Sequence, residues 1–247
     1  MLALLLLSAI AFLAGVMNAM AGGGSFLTFP ALVFTGVPPI IANASSTVAL
    51  FPGALASTWA YRHDFQTIQG VSLRWLLIAS VAGGITGALL LLFTPSQAFD
   101  AIVPWLLLGA TLMFAFGRQV TPFLRRHFQL GAIGLVAIQY AVSIYGGYFG
   151  GAVGILMLAV LGLFGLTDLN AMNASKTLLN CAMNGVAVIC FIIAGKVWWT
   201  QTLAMLVAAV LGGYLGARYA RRLDPRLLRT IITLIGVGMT VAFFMRG

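Results

Sequence analysis

The sequence predicts an all-α polytopic membrane protein made of two inverted repeats, each of about five helical segments, including short broken or re-entrant helices after Gly-rich reversals. Three observations carry that prediction. Of 247 residues, 62% are hydrophobic and only 7% charged, whereas a water-soluble domain carries about a quarter of its residues as charges. The few charges sit in short clusters separated by apolar stretches longer than ~18 residues, the length that crosses a bilayer. The two halves also echo one another. At an offset of 130, Gly24 matches Gly154, Asn43-Ala44-Ser45 matches Asn173-Ala174-Ser175 and Thr47 matches Thr177; at 129, Gly36 matches Gly165, and Gly83-Gly84 with Gly87-Ala88 match Gly212-Gly213 with Gly216-Ala217. One integral membrane domain over 1–247 is expected, with repeat 1 at about 1–117, a linker at about 118–129 and repeat 2 at about 130–247.

Charges, prolines and glycine clusters bound the segments in order. The first, 2–21, imitates a signal peptide because Ala19-Met20-Ala21 resembles a cleavage site, but no basic residue precedes its apolar run, so it is read as a structural helix. Further helices are expected at 25–36, 40–61, 74–93 and 99–117. The stretch Arg118 to Gln129, with Pro122, Arg125, Arg126 and His127, is the most polar between the two sets and is read as a linker. The second set is expected at 129–147, 150–164, 169–194, 199–217 and 230–245.

Charge placement discriminates between two topologies. If residues 1–36 and 129–164 were each one broken span, eight crossings would divide the basic loop residues seven against five. If each Gly-rich break is a reversal, five segments per half invert one half relative to the other. Arg62, Arg74, Arg118, Arg125, Arg126, Arg218, Arg221, Arg222, Arg226 and Arg229 then share one side, against Lys196 and Arg246. Ten against two satisfies the positive-inside rule and places both termini on the outer side.

Several function classes fall with the same arithmetic. The formal charge of +9 is no nucleic-acid signature, because most of its basic residues lie in short interhelical loops. Cys181 and Cys190 are nine apart on one helix, on roughly opposite faces, and read as small buried apolar groups. Catalysis is poorly supplied: His63 and His127 are expected in loops, no paired carboxylates appear, and four Asp with no Glu make a metal site improbable. The glycine runs lack the Gly-Lys-Ser/Thr sequel of a phosphate-binding loop. No enzyme activity, cofactor or metal is expected.

The segments at 25–36 and 150–164 are too short to cross a core of ~30 Å. Backbone at Gly36-Val37-Pro38-Pro39 and Gly165-Leu166-Thr167-Asp168 is therefore expected inside the membrane beside a wet cavity, where transporters place binding sites. Gly22, Gly23 and Gly24, and Gly150, Gly151 and Gly154, permit sharp reversal and offer N–H groups to an anion. Gly83, Gly84 and Gly87, like Gly212, Gly213 and Gly216, have the spacing of tight helix packing.

Lys176 is the most informative residue, an intramembrane cation with no carboxylate one turn away. It either faces a permeation path or snorkels to a surface, or pairs across helices with Asp168. Asn173, Lys176, Thr177, Asn180 and Asn184 share one helical face. One ammonium among neutral donors suits a small oxyanion, while polar stripes also join helices. The corresponding block is Asn43, Ser45, Ser46 and Thr47, with Ser46 at the Lys176 position and Ser175 at that of Ser45; that face turns apolar at Leu50 and Ala54. Helix starts at both blocks are expected to aim their positive dipole ends at one cavity. Asp168 is the only acid nearby and a candidate for a coupling proton.

At these residues the chain resembles the TauE/SafE family of sulfite exporters and related bacterial anion permeases. The resemblance runs from Gly22-Gly23-Gly24 through Pro30 to Gly36, over Ala42 to Thr47, and again from Tyr145-Gly146-Gly147-Tyr148-Phe149-Gly150-Gly151 through Gly154 to the block Asn173 to Thr177. It implies export, or in some members uptake, of sulfite, sulfonates or related sulfur-containing anions. The expectation is a secondary transporter working by alternating access, with a passive anion channel as the rival. Its partners are the anion and membrane lipid, with no nucleic acid and a homo-oligomer left open.

Overall fold

The computed structural model describes residues 2–20, 22–66, 68, 71–127, 131–163, 165–166, 168–219 and 225–246. Every regular element among them is helical: α1 (Leu2–Met20), α2 (Ser25–Phe34), α3 (Pro39–Ala60), α4 (Leu73–Phe93), α5 (Ser96–His127), α6 (Ala132–Tyr148), α7 (Val153–Leu163), α8 (Leu169–Ile193), α9 (Trp199–Tyr219) and α10 (Pro225–Arg246). Among the described residues, α1, α3, α4, α5, α8 and α9 contain stretches long and apolar enough to cross a membrane. α2 and α7 have 10 and 11 residues, about 15 Å and 16 Å of helix, roughly half the hydrocarbon core.

Side chains are sorted as lipid requires. Leu2, Phe93, Ile133, Ile193 and Met245 are all more than four-fifths exposed, an apolar exterior that hydrocarbon solvates and water would not. Beside an apolar core, buried glycines, alanines and hydroxylated residues let helices approach closely where no hydrophobic force distinguishes protein from lipid.

α1 lies against α9, and α4 against α6. Both seams are made by the glycines expected to serve helix packing. A Cβ added at Gly212 would meet Phe12 O, and one at Gly216 would stand 2.7 Å from Val16 Cα; at Gly87 it would meet Ile144 O. α3 rests on α9 and α8, α8 also on α4, and α5 on α10 and α7. Edge-to-face contacts join Phe29 of α2 to Phe99 of α5 and to Phe149 beyond α6, and Phe29 stacks on Phe243 of α10.

The short helices end alike. At α2 the N–H of Gly36 bonds Val33 O and that of Val37 bonds Leu32 O; at α7 Gly165 bonds Gly162 O and Leu166 bonds Leu161 O. These are the paired bonds of a Schellman cap, and Gly36 (φ 92°) and Gly165 (φ 88°) hold the left-handed position it needs. Connectors of one set cover the reversals of the other. Val197 joins the apolar cluster of Val33, Val37 and Ala42, and Ile68 and Val71 join that of Leu166 and Met172.

Two boundaries differ from expectation. Residues 118–127, expected as a linker, continue α5 to His127, which closes that helix instead of lying in a loop. Polar side chains end a membrane span without ending a helix, and Gln, Leu and Arg are good helix formers. Likewise α10 begins at Pro225, five residues before the expected start, where proline at the first helical position costs no hydrogen bond. Arg221 and Arg222, used in the orientation argument, lie outside the described residues.

Candidate functional site

A cavity of about 50 Å³ opens where the α1–α2 and α6–α7 reversals meet between α3 and α8. By that measure it has room for roughly three to five water-sized groups. α1 runs into the glycines because Asn18 closes the turn: its Oδ1 accepts from Gly23 N at 3.0 Å and Gly24 N at 2.9 Å. Its amide nitrogen is left to the cavity. The second reversal is fixed by Tyr145, whose hydroxyl donates to Gly151 O at 2.7 Å. The two reversals touch. A Cβ on Gly22 would stand 2.9 Å from Gly154 Cα, so that position needs a residue with no side chain, and Ser25 Oγ donates to Gly150 O at 3.3 Å.

The positive helix ends at the cavity are therefore those of α2 and α7, with Gly22, Gly23 and Ser25 on one side and Gly150, Val153 and Gly154 on the other. This corrects the expectation that α3 and α8 aim their starts there. Pro39 and Leu169 lie eight and seven residues upstream of Thr47 and Lys176, about 10–12 Å along the helix. Correspondingly, Gly36 and Gly165 are exposed and do not line the cavity.

The walls are the middle of α8, through Lys176, Thr177, Asn180 and Asn184, and of α3, through Thr47, Leu50, Phe51, Ala54 and Ser57. Lys176 is 2% exposed, and its Nζ donates to Asn173 Oδ1 at 2.9 Å. No carboxylate pairs with it among the described residues. Asn184 Nδ2 donates to Asn180 Oδ1 at 3.0 Å, which leaves the Asn180 amide nitrogen as a donor. The hydroxyls are committed to their own helices: Thr47 donates to Asn43 O, Ser57 to Gly53 O and Thr177 to Ala174 O. They present lone pairs, so the donors left to the cavity are the ammonium and the amide nitrogens of Asn18 and Asn180. That set is positive and lacks any acid, which is chemistry for an oxyanion.

Thr47, Lys176, Thr177, Asn180, Asn184, Gly22, Gly23, Gly150 and Gly154 thus converge as expected. Eight other candidates do not line the cavity. Asn43 donates to Tyr148 O at 2.8 Å, Ser45 accepts from Trp198 N at 3.0 Å, and Ser46 shares a 2.6 Å bond with Thr28. Ser175 is buried with its Oγ unpartnered. Asn173 acts through Lys176. Gly24 packs on Ala14 O of α1, and Gly151 against the Phe149 ring. Asp168 is exposed and caps α8, accepting from Asn170 N at 2.6 Å and Ala171 N at 3.2 Å. Helix periodicity put these residues near the right face but could not say which were consumed by capping and packing. Asn18, Ser25 and Ser57 went unnoticed, although Asn18 is the one amide in an apolar helix ending at a glycine run, and Ser57 continues the face of Thr47, Leu50 and Ala54.

A capping Asp168 predicts a cost in stability without a cost in coupling. Asp168→Ala is expected to lower stability by about 1 kcal/mol, and Asp168→Asn by a few tenths, since Asn caps nearly as well. Thermal melts in detergent and pH-driven flux check this; a pH response lost in Asp168→Asn would return that residue to the coupling path.

A family model described as "Sulfite exporter TauE/SafE" matches residues 7–243. The "Probable membrane transporter protein YfcA" of Escherichia coli strain K12 is 30% identical over 233 residues, covering 94% of this chain and 86% of that one. The "Probable membrane transporter protein ORF9" of a Sinorhizobium species is 29% identical over 241 residues, with 94% and 88% covered. A "Probable membrane transporter protein" of Haemophilus influenzae is 28% identical over 246 residues, with 96% and 92% covered. No solved structure matches.

Proposed function

The chain belongs to the TauE/SafE family of sulfite exporters and is a multi-pass membrane transporter, not an enzyme; from that premise we propose that it carries a small oxyanion, sulfite first and short organosulfonates second, across a bacterial inner membrane by alternating access of two inverted repeats. The observation that carries this reading is one buried ammonium in an otherwise uncharged cavity of about 50 Å³. That volume suits a four-atom oxyanion, and a longer sulfonate needs the walls of Leu50, Phe51 and Phe149 to part. Lys176 supplies charge, Asn18 and Asn180 donate, and the ends of α2 and α7 add partial positive charge. The charge asymmetry of the sequence supports an orientation with both termini in the periplasm.

Sulfite flux in proteoliposomes tests the reading. A carrier saturates and shows counterflow, with labelled sulfite accumulating against unlabelled sulfite inside. Flux that neither saturates nor counterflows identifies a passive channel, and no flux above empty liposomes removes sulfite as substrate.

A further inference from the structure

With Asp168 at the protein surface, the cavity contains no acid to exchange a coupling proton. We propose that Lys176 itself carries that proton, so that one H⁺ accompanies each monoanion in the same direction. This rests on the transport reading above.

The surroundings of Lys176 restrict the choice to it. α8 packs against α3, α4, α6 and α7. Neither α3 nor α7 has a titratable side chain, and neither do α1 and α2, which complete the cavity. On α4 there is only Arg74, exposed at the helix start. On α6, the Tyr145 hydroxyl donates to Gly151 O, and those of Tyr140 and Tyr148 meet Thr86 and Thr94. Cys181 and Cys190 of α8 do not line the cavity, and neither do Arg62, His63 and Asp64 in the turn after α3. Among the described residues, Lys176 is therefore the one titratable side chain that lines the cavity.

Its hydrogen-bond partner suits both protonation states. Asn173 Oδ1 accepts an N–H from an ammonium or from a neutral amine, so the side chain keeps its place when the proton leaves. With the anion bound, ammonium and anion form a neutral pair that crosses at low electrostatic cost. When the anion departs, the ammonium is left without a counter-ion in a cavity whose lining holds no acid. It gives its proton to water on the side of release, and the carrier returns with a neutral amine. No bond other than N–H is made or broken.

The proposal separates two modes of flux. Exchange of anion for anion never requires the empty carrier to return, whereas net flux does. Each unit of pH below the amine's pKa lowers its neutral fraction about tenfold. With equal pH on both faces, lowering it from about 8 to about 5.5 is therefore expected to cut the ratio of net sulfite efflux to sulfite exchange in the native protein by at least about tenfold. A proton riding on sulfite predicts the opposite, net efflux rising with acid in step with exchange, and that result overturns the proposal. Lys176→Arg adds a permanently charged variant; whatever exchange it retains, its ratio of net efflux to exchange is expected to stay low at every pH and its net flux not to follow a proton gradient. Native-like gradient-driven flux in Lys176→Arg likewise overturns it. Absence of sulfite exchange in the native protein would defeat the transport reading instead, so the two failures are distinct.

Discussion

Lys176→Met is expected to make the fold more stable while abolishing saturable anion flux. A lysine at the centre of a membrane helix costs about 2.5–3.5 kcal/mol on insertion scales. Lys176 is 2% exposed, and a neutral amide is its one hydrogen-bond partner among the described residues. Methionine has similar length and no charge, so the variant is expected to gain most of that cost and to melt several degrees higher in detergent. Losing a charge-assisted hydrogen bond of about 1.5–3 kcal/mol weakens anion binding roughly 10- to 150-fold. Removing the only full positive charge of the cavity takes the loss to the upper end. Flux and melting measured on one preparation check both signs. A variant that melts higher and transports normally would show that Lys176 is a tolerated surface-seeking side chain.

The second large effect lies in the seams. Gly212→Leu in α9 and Gly87→Leu in α4 are each expected to abolish recovery of folded, monodisperse protein. Overpacking a core with extra methylenes costs typically about 1–3 kcal/mol because neighbouring side chains give way. Here the atoms met first are Phe12 O and Ile144 O, main-chain atoms of α1 and α6. A helix must move bodily, and the contacts along the whole seam go with it. Gly109→Ala in α5 is the matched control, since nothing lies within 4 Å of its added Cβ; it is expected to fold as well as the native chain or better by up to ~1 kcal/mol. Size-exclusion profiles and melting temperatures separate these outcomes.

Much of this was legible in the residues because lipid imposes simple rules. Run lengths and glycine spacing gave ten segments and the two packing seams, since a membrane helix must be apolar outside and small where it meets another. The polar stripe of α8 gave Lys176, Thr177, Asn180 and Asn184 for the same reason. Which end of each short helix faces the cavity was not legible: α2 and α7 are flanked by glycines at both ends, and only the three-dimensional meeting of Gly22 with Gly154 distinguishes reversal from cap. The fates of Asn43, Ser45 and Ser46 were hidden likewise. Their partners Tyr148, Trp198 and Thr28 are 105, 153 and 18 positions away, and no periodicity within one helix reports such a partner. Asp168 looked like a proton site because it is scarce, yet its place just before an apolar helix is also where a cap belongs.

The pairing of α1 with α9 and of α4 with α6 has a consequence for how the protein is made. Ser8 of α1 donates to Ala204 O of α9, 196 positions downstream, so the first helix enters the membrane long before its neighbour exists. α4 must likewise wait for α6. During synthesis both expose a glycine-notched face to lipid with nothing to fill it. They are also the two most apolar of the six membrane-length helices, whereas α9 is among the least apolar of them. The helices that wait are thus those the bilayer alone can hold, and α9 arrives to a partner already in place. The order of the gene fits the order of assembly, and it predicts that moving the α9 segment ahead of α1 would strand one of the helices least able to remain in lipid alone.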